Sequence, residues 1–116
     1  MKINQKITDG LLTISIDGDL DASTAMDVDY VIKEAYTSKN YKILVDCKQL
    51  QYISSAGLGV FISYMEEFEQ NKGSFVFFDM NEQVYSVFEL LGLHQIFSIV
   101  ENELEAKKRL TNLEIV

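Results

Sequence analysis

Six consecutive residues, Ser54-Ser55-Ala56-Gly57-Leu58-Gly59, concentrate the side chains best suited to being modified or approached closely. Before them the apolar run Ile43-Leu44-Val45 ends at Asp46 and reads as a buried strand. After them Leu58, Phe61, Ile62, Met65 and Phe68 recur at helical spacing. The serines therefore fall where a helix begins, a place that hydroxyl side chains favour because they satisfy free backbone N–H groups. Those N–H groups and the helix dipole favour negative charge, so a serine there can carry a phosphate without disrupting the helix. Gly57 and Gly59 lack side chains and would let another backbone come close. The helix side away from the apolar residues carries Gly59, Ser63, Glu66 and Glu67, small at its start and acidic further along.

Catalytic chemistry is scarce elsewhere. His94 is the single histidine and sits in an apolar stretch, which reads as packing. Cys47 is the single cysteine, follows a buried strand, has no histidine near it in sequence, and reads as a packed thiol. One His and one Cys do not make a metal site. No Gly-x-Ser-x-Gly elbow exists, and the glycines at 57 and 59 lack the Gly-Lys-Ser/Thr ending of a phosphate-binding loop. Asp17, Asp19 and Asp21 crowd one turn without the spacing of a calcium loop, so they read as a solvated acidic turn. The expectation is a protein that is not an enzyme and holds no metal or cofactor.

Composition narrows the partners. The chain has 116 residues, a formal net charge of −8 and no proline. That length reads as one domain, residues 1–116, with a core sufficient without disulfides or metal. Strong negative charge points away from nucleic acid and from anionic membrane surfaces. The basic run Lys107-Lys108-Arg109 sits at the end of a terminal helix, next to Glu101, Glu103 and Glu105, and reads as charges complementing the helix dipole. With one cysteine, no signal-peptide apolar region in residues 1–13 and no run of membrane-spanning length, a cytoplasmic location is expected. No apolar stripe beyond core needs is evident, so a monomer is the default.

These residues must be positioned by a succession of elements. Residues 3–7 and 11–16 read as strands joined through Asp9-Gly10, a hairpin signal, with Leu12, Ile14 and Ile16 on the buried face. An acidic turn, 17–21, leads to a helix from 22 to about 38, capped by Ser23 or Thr24, with Met26, Val28, Val31, Ile32, Ala35 and Tyr36 inward. A strand at 42–45, the helix at 55–70, a strand at 74–78 and a helix at 82–91 follow. In the last of these Val84, Val87, Phe88 and Leu91 point inward. A short strand at 97–99 and a charged helix at 101–113 close the chain. Alternating strands and helices predict an α/β fold, and the opening hairpin makes its sheet mixed.

The strand ending in Asp46, the hydroxyl pair entering Gly57-Leu58-Gly59, the Gly-x-Leu-Asp element at Gly18, Leu20 and Asp21, and Gly92-Leu93 followed by Phe97 together resemble the STAS domain. Within it they resemble the free-standing anti-sigma-factor antagonists, whose usual run is Asp-Ser-(Ser or Thr)-Gly-Leu-Gly. Aligned on Gly57-Leu58-Gly59, Ser55 takes the phosphorylated serine's place. Ser54 stands where the family has Asp, and Ala56 replaces the second hydroxyl. Register favours Ser55, with Ser54 as the other candidate.

The resemblance implies a single STAS-like domain with a mainly parallel sheet of about five strands and about four helices, largely on one face. It also implies that the serine loop and the Gly-x-Leu-Asp turn lie together at one end. The partner-binding residues it implies are Gly18, Asp19, Leu20, Asp21, Ser54, Ser55, Ala56, Gly57, Gly59 and Ser63. Its implied partners are an anti-sigma factor that is itself a serine kinase and a metal-dependent serine phosphatase. Two other readings stand beside it. One is a non-switching STAS subunit of a lipid-transport complex or signalling scaffold. The other is a nucleotide binder, disfavoured because no basic residue accompanies the loop.

Overall fold

The computed structural model describes residues 1–112. Six strands and four α-helices follow in the order β1 (Lys2–Thr8), β2 (Leu11–Leu20), α1 (Ala25–Thr37), β3 (Lys42–Asp46), β4 (Leu50–Ile53), α2 (Ser55–Gln70), β5 (Ser74–Phe78), α3 (Glu82–Leu90), β6 (Ser98–Val100) and α4 (Glu103–Asn112). A 3-10 turn, Leu93–Gln95, separates α3 from β6. The sheet runs β1-β2-β3-β5-β6, with β4 added to the end of β2. Only the β1–β2 pairing is antiparallel among the described residues; the other four are parallel. The fold class is therefore the expected mixed, mainly parallel α/β sheet.

Alternation along the strands divides the core. Ile14 and Ile16 of β2, Ile43 and Val45 of β3, and Phe75 and Phe77 of β5 face α1, α2 and α3. Leu44, Val76 and Phe78 face the other way, where Ala106 and Leu110 of α4 cover them. Three helices share one face and one takes the other. Because β3 and β5 are covered on both sides, they read as continuous apolar runs rather than alternating ones. Phe77 joins the layers, its ring 5.1 Å from Phe61 and 5.3 Å from both Phe88 and Phe97.

Local sequence explains most boundaries. The turn at Asp9 and Gly10 has φ of 53° and 79°, the left-handed pair that a two-residue hairpin requires. Gly73 ends the α2–β5 connection where a Cβ would stand 2.0 Å from the Tyr41 carbonyl oxygen, so no other residue fits.

Several expectations change. β2 does not stop at Ile16 but continues to Leu20, because Lys2 pairs with Asp17 and β4 pairs with Gly18, Asp19 and Leu20. The supposed acidic turn at 17–21 is thus mostly strand, bulged between Gly18 and Asp19, with Gly18 at φ 112°. β4 was hidden in what reads as a polar loop: Leu50 and Ile53 are buried while Gln51 and Tyr52 are exposed, which is not a period of two. α1 starts at Ala25 with Thr24 as its N-cap residue, one of the two expected caps. Met26 is 81 % exposed, and Ile62 and Leu91 are 46 % and 52 % exposed, so these three leave their expected buried stripes. The final strand sits one residue later, and the expected end of the last helix, Leu113, lies outside the described residues.

Candidate functional site

The two segments singled out by sequence meet because of β4. Its parallel pairing with β2 sets Leu20 opposite Ile53, and the Ser54 N–H then donates to the Leu20 carbonyl at 2.9 Å. The chain turns into α2 directly from that bond. Ser54 is the N-cap, with extended backbone (φ −99°, ψ 171°), and its Oγ accepts from the Gly57 N–H at 3.3 Å. The Leu58 N–H donates to the Ser54 carbonyl at 3.0 Å.

The serines consequently differ. Ser54 is half-buried and its hydroxyl is engaged in the cap. Ser55 is exposed on the first turn of the helix, and its hydroxyl makes no hydrogen bond among the described residues. Ala56 is exposed beside it. Gly59, one turn on, is exposed with open space where a Cβ would be. Ser63 is also exposed, although its Oγ donates to the Val60 carbonyl at 2.6 Å.

Gly57 and Leu20 depart from the expected contact role. Both are buried, Leu20 with no accessible surface. A Cβ on Gly57 would lie 2.6 Å from Leu20 Cγ and 3.0 Å from the Leu20 carbonyl oxygen. The backbone that approaches Gly57 is the chain's own, so these two residues position the loop. Gly18 is half-buried, donating its N–H to the Gln49 carbonyl at 3.0 Å, and is likewise structural.

Asp19 and Asp21 bound the site on the α1 side. Asp19 is exposed, and its carbonyl accepts from Thr24 Oγ1 at 2.8 Å. The Asp21 carboxylate accepts from the Ser23 N–H at 2.9 Å and from Ser23 Oγ at 2.7 Å, which holds its pKa below the usual carboxylate range. Thr24 is the N-cap residue of α1 by position, yet its hydroxyl turns back to accept the Asp21 N–H at 2.9 Å. Asp21 thus organises the turn that aims α1, while the pairing of β2 with β4 sets Asp19 opposite Tyr52.

The remaining chemistry is spent on structure. Cys47 is fully buried, and burial followed by the charges of Asp46 and Asp79 raises its pKa far above the thiol range. His94 sits on the 3-10 turn with its ring 6.2 Å from that of Tyr85. Asp46 takes the Lys48 N–H at 3.0 Å and Ser15 Oγ at 3.2 Å, a turn function. Lys107 and Lys108 pair with Glu103 and Glu105 within α4. No group of three or more metal-ligating side chains occurs among the described residues. Among them, too, no helix is long and apolar enough to cross a membrane.

Sequence reasoning missed two exposed apolar neighbours of the serines. Tyr52 on β4 is 50 % exposed, and Ile62 on α2 is 46 % exposed. The signal for Ile62 was its spacing of seven from Ser55, two helical turns along the same face.

Comparison with known proteins identifies the family and the fold. The family model described as "STAS domain" matches residues 2–106. The chain is 32 % identical over 108 residues to the anti-sigma F factor antagonist of Paenibacillus polymyxa, covering 92 % of this chain and 90 % of that protein. The structure of an anti-sigma factor antagonist from Mycobacterium paratuberculosis superposes with a TM-score of 0.86 at 18 % identity, covering 95 % of this chain and 93 % of the other. That of the Bacillus cell fate determinant SpoIIAA in its phosphorylated form superposes with a TM-score of 0.70 at 22 % identity, covering 93 % and 98 %. The match of the family model over residues 2–106, with a 32 % identical relative covering 92 % of this chain, places this chain in the STAS domain family, among the anti-sigma-factor antagonists.

Proposed function

We propose that the protein is a cytoplasmic, phosphorylation-switched antagonist that is not itself an enzyme. Unmodified, it binds an anti-sigma factor that is also a serine kinase and thereby frees a sigma factor. The kinase uses ATP to phosphorylate Ser55, which ends the interaction, and a metal-dependent serine phosphatase restores it. The observation that carries this reading is Ser55 itself. It stands exposed on the first turn of α2 with an unengaged hydroxyl, while Ser54 beside it is committed to the cap. A solved neighbour bears a phosphorylated state, which supports the same chemistry here.

The switch is local. A phosphate adds about −1.5 to −2 charge. At the first turn of α2 the free backbone N–H groups and the helix dipole tolerate that charge, so the fold is retained. The cost falls on the complex, where added bulk and charge oppose close approach over Ala56 and Gly59. The free protein is a monomer in this reading, and its acidic surface disfavours nucleic acid as a partner.

Capture from lysate of the native cell tests the proposal, with wild type, Ser55→Ala and Ser55→Asp as baits. Wild type and Ser55→Ala should retain a serine kinase of the histidine-kinase-like ATPase fold, and Ser55→Asp should lose it. Retention of one common assembly of transport proteins by all three would instead identify a non-switching subunit.

A further inference from the structure

The exposed side of α2 carries one residue that neither the core nor solvation accounts for. At about 100° per residue, positions 55, 59, 62, 66 and 69 fall within about 80° of arc. All five are exposed: Ser55, Gly59, Ile62, Glu66 and Glu69. On the same helix the core is filled by Leu58, Phe61 and Phe68, each 1 % exposed or less, so Ile62 is not needed to close it. A single exposed isoleucine is ordinary on a protein surface. Ile62 differs in its setting, lying about 10 Å along the helix axis from Ser55 at 1.5 Å per residue. Gly59 leaves open space between them. Beyond it the stripe turns acidic, and α2 contains no Lys or Arg.

We infer that Ile62 is an anchor for the anti-sigma factor, entering an apolar pocket whose border carries Lys or Arg side chains that meet Glu66 and Glu69. The inference rests on the proposed function and extends that site from the serine to the middle of α2. Charge complementarity selects the occupant. A chain of net charge −8 that presents an aliphatic knob beside two carboxylates fits a cationic rim and repels an acidic one. The division of labour follows: Ile62 supplies desolvation at the centre, and the glutamates supply steering and register. Ser55 lies at the other end of the stripe. A phosphate there stands about 16 Å along the axis from Glu66 at 1.5 Å per residue, away from the cationic border that meets the two glutamates.

The test is calorimetric titration of the purified anti-sigma factor captured by wild type, at low and high salt, with thermal unfolding of each variant in parallel. Ile62→Ser should raise Kd about tenfold or more, and Ile62→Leu less than about threefold, since a buried aliphatic anchor is judged by its volume and polarity. The pair Glu66→Lys with Glu69→Lys should weaken binding more at low salt than at high salt. All variants should unfold within a few degrees of wild type, because the altered side chains are exposed. Binding by Ile62→Ser within about twofold of wild type, or an unchanged salt dependence in the double variant, would overturn the inference while leaving the antagonist reading intact. If wild type captures no anti-sigma factor, the underlying reading fails and this inference fails with it.

Discussion

Leu20 and Gly57 touch where the end of β2 meets the first turn of α2, and a Cβ on Gly57 would stand 2.6 Å from Leu20 Cγ. That contact, with the 2.9 Å bond from the Ser54 N–H to the Leu20 carbonyl, fixes the height of the serine loop over the sheet. The two glycines of the Gly-Leu-Gly run therefore serve different purposes. Gly57→Ala should destabilise the fold by about 1–3 kcal/mol through overpacking against Leu20. Gly59→Ala should leave stability equal or up to about 1 kcal/mol higher, because alanine is the better helix former and the space is open. It should nevertheless weaken partner binding. Chemical denaturation of both variants checks the first pair of outcomes; equal losses would mean that Gly57 is not a packing residue.

The serines should separate in the same way. Ser54→Ala removes the side-chain cap of α2 and should cost about 0.5–2 kcal/mol. The 3.3 Å length of its bond to the Gly57 N–H places it in the lower half of that range. Ser55→Ala removes a hydroxyl with no partner among the described residues and should change stability by less than about 0.5 kcal/mol. Urea unfolding midpoints at constant m-value give the comparison. A larger loss from Ser55→Ala would reverse the assignment of cap and modifiable serine.

Much of this was legible in the sequence because local signals agreed with tertiary demands. The bounds of α2 and β5, the Asp9-Gly10 turn and the inward face of β2 all follow from periodicity and turn chemistry. What was not legible depended on pairing between distant segments. β4 exists because the end of β2 offers it hydrogen bonds; its own four residues alternate with no regular period. The burial of Leu20 follows from that pairing, so its role as a support for Gly57 could not be read from the Gly-x-Leu-Asp element alone. Ile62 lies at the edge of its apolar helical stripe, about 100° from Phe61, whereas Met26 lies about 160° from Val28, on the far side of α1 from its buried residues. Periodicity assigns a face to within a residue or so, and the surface residues of most interest sit on that margin.

Tyr64 couples the two helices beside the site. Burial and the nearby Asp29 and Glu67 carboxylates raise its pKa from 10.0 to about 12. A raised acid pKa means that the folded state favours the protonated phenol. This contribution to stability is fully present below about pH 10, where the unfolded tyrosine is also protonated. It is lost as pH rises from about 10 through about 12. Thermal unfolding across this window should fall more steeply for wild type than for Tyr64→Phe. Parallel slopes would show that the α1–α2 contact does not depend on this hydroxyl.

In the proposed switch, Ser55 and no other residue carries the phosphate. Its most direct test is phosphopeptide mapping by mass spectrometry after incubation with the captured kinase and ATP, for wild type, Ser54→Ala and Ser55→Ala. Wild type should carry one phosphate on Ser55, Ser54→Ala should give the same product, and Ser55→Ala should give none. The modified wild-type protein should no longer bind the kinase. Phosphate persisting in Ser55→Ala, or a modified protein that binds as before, would contradict the proposed switch.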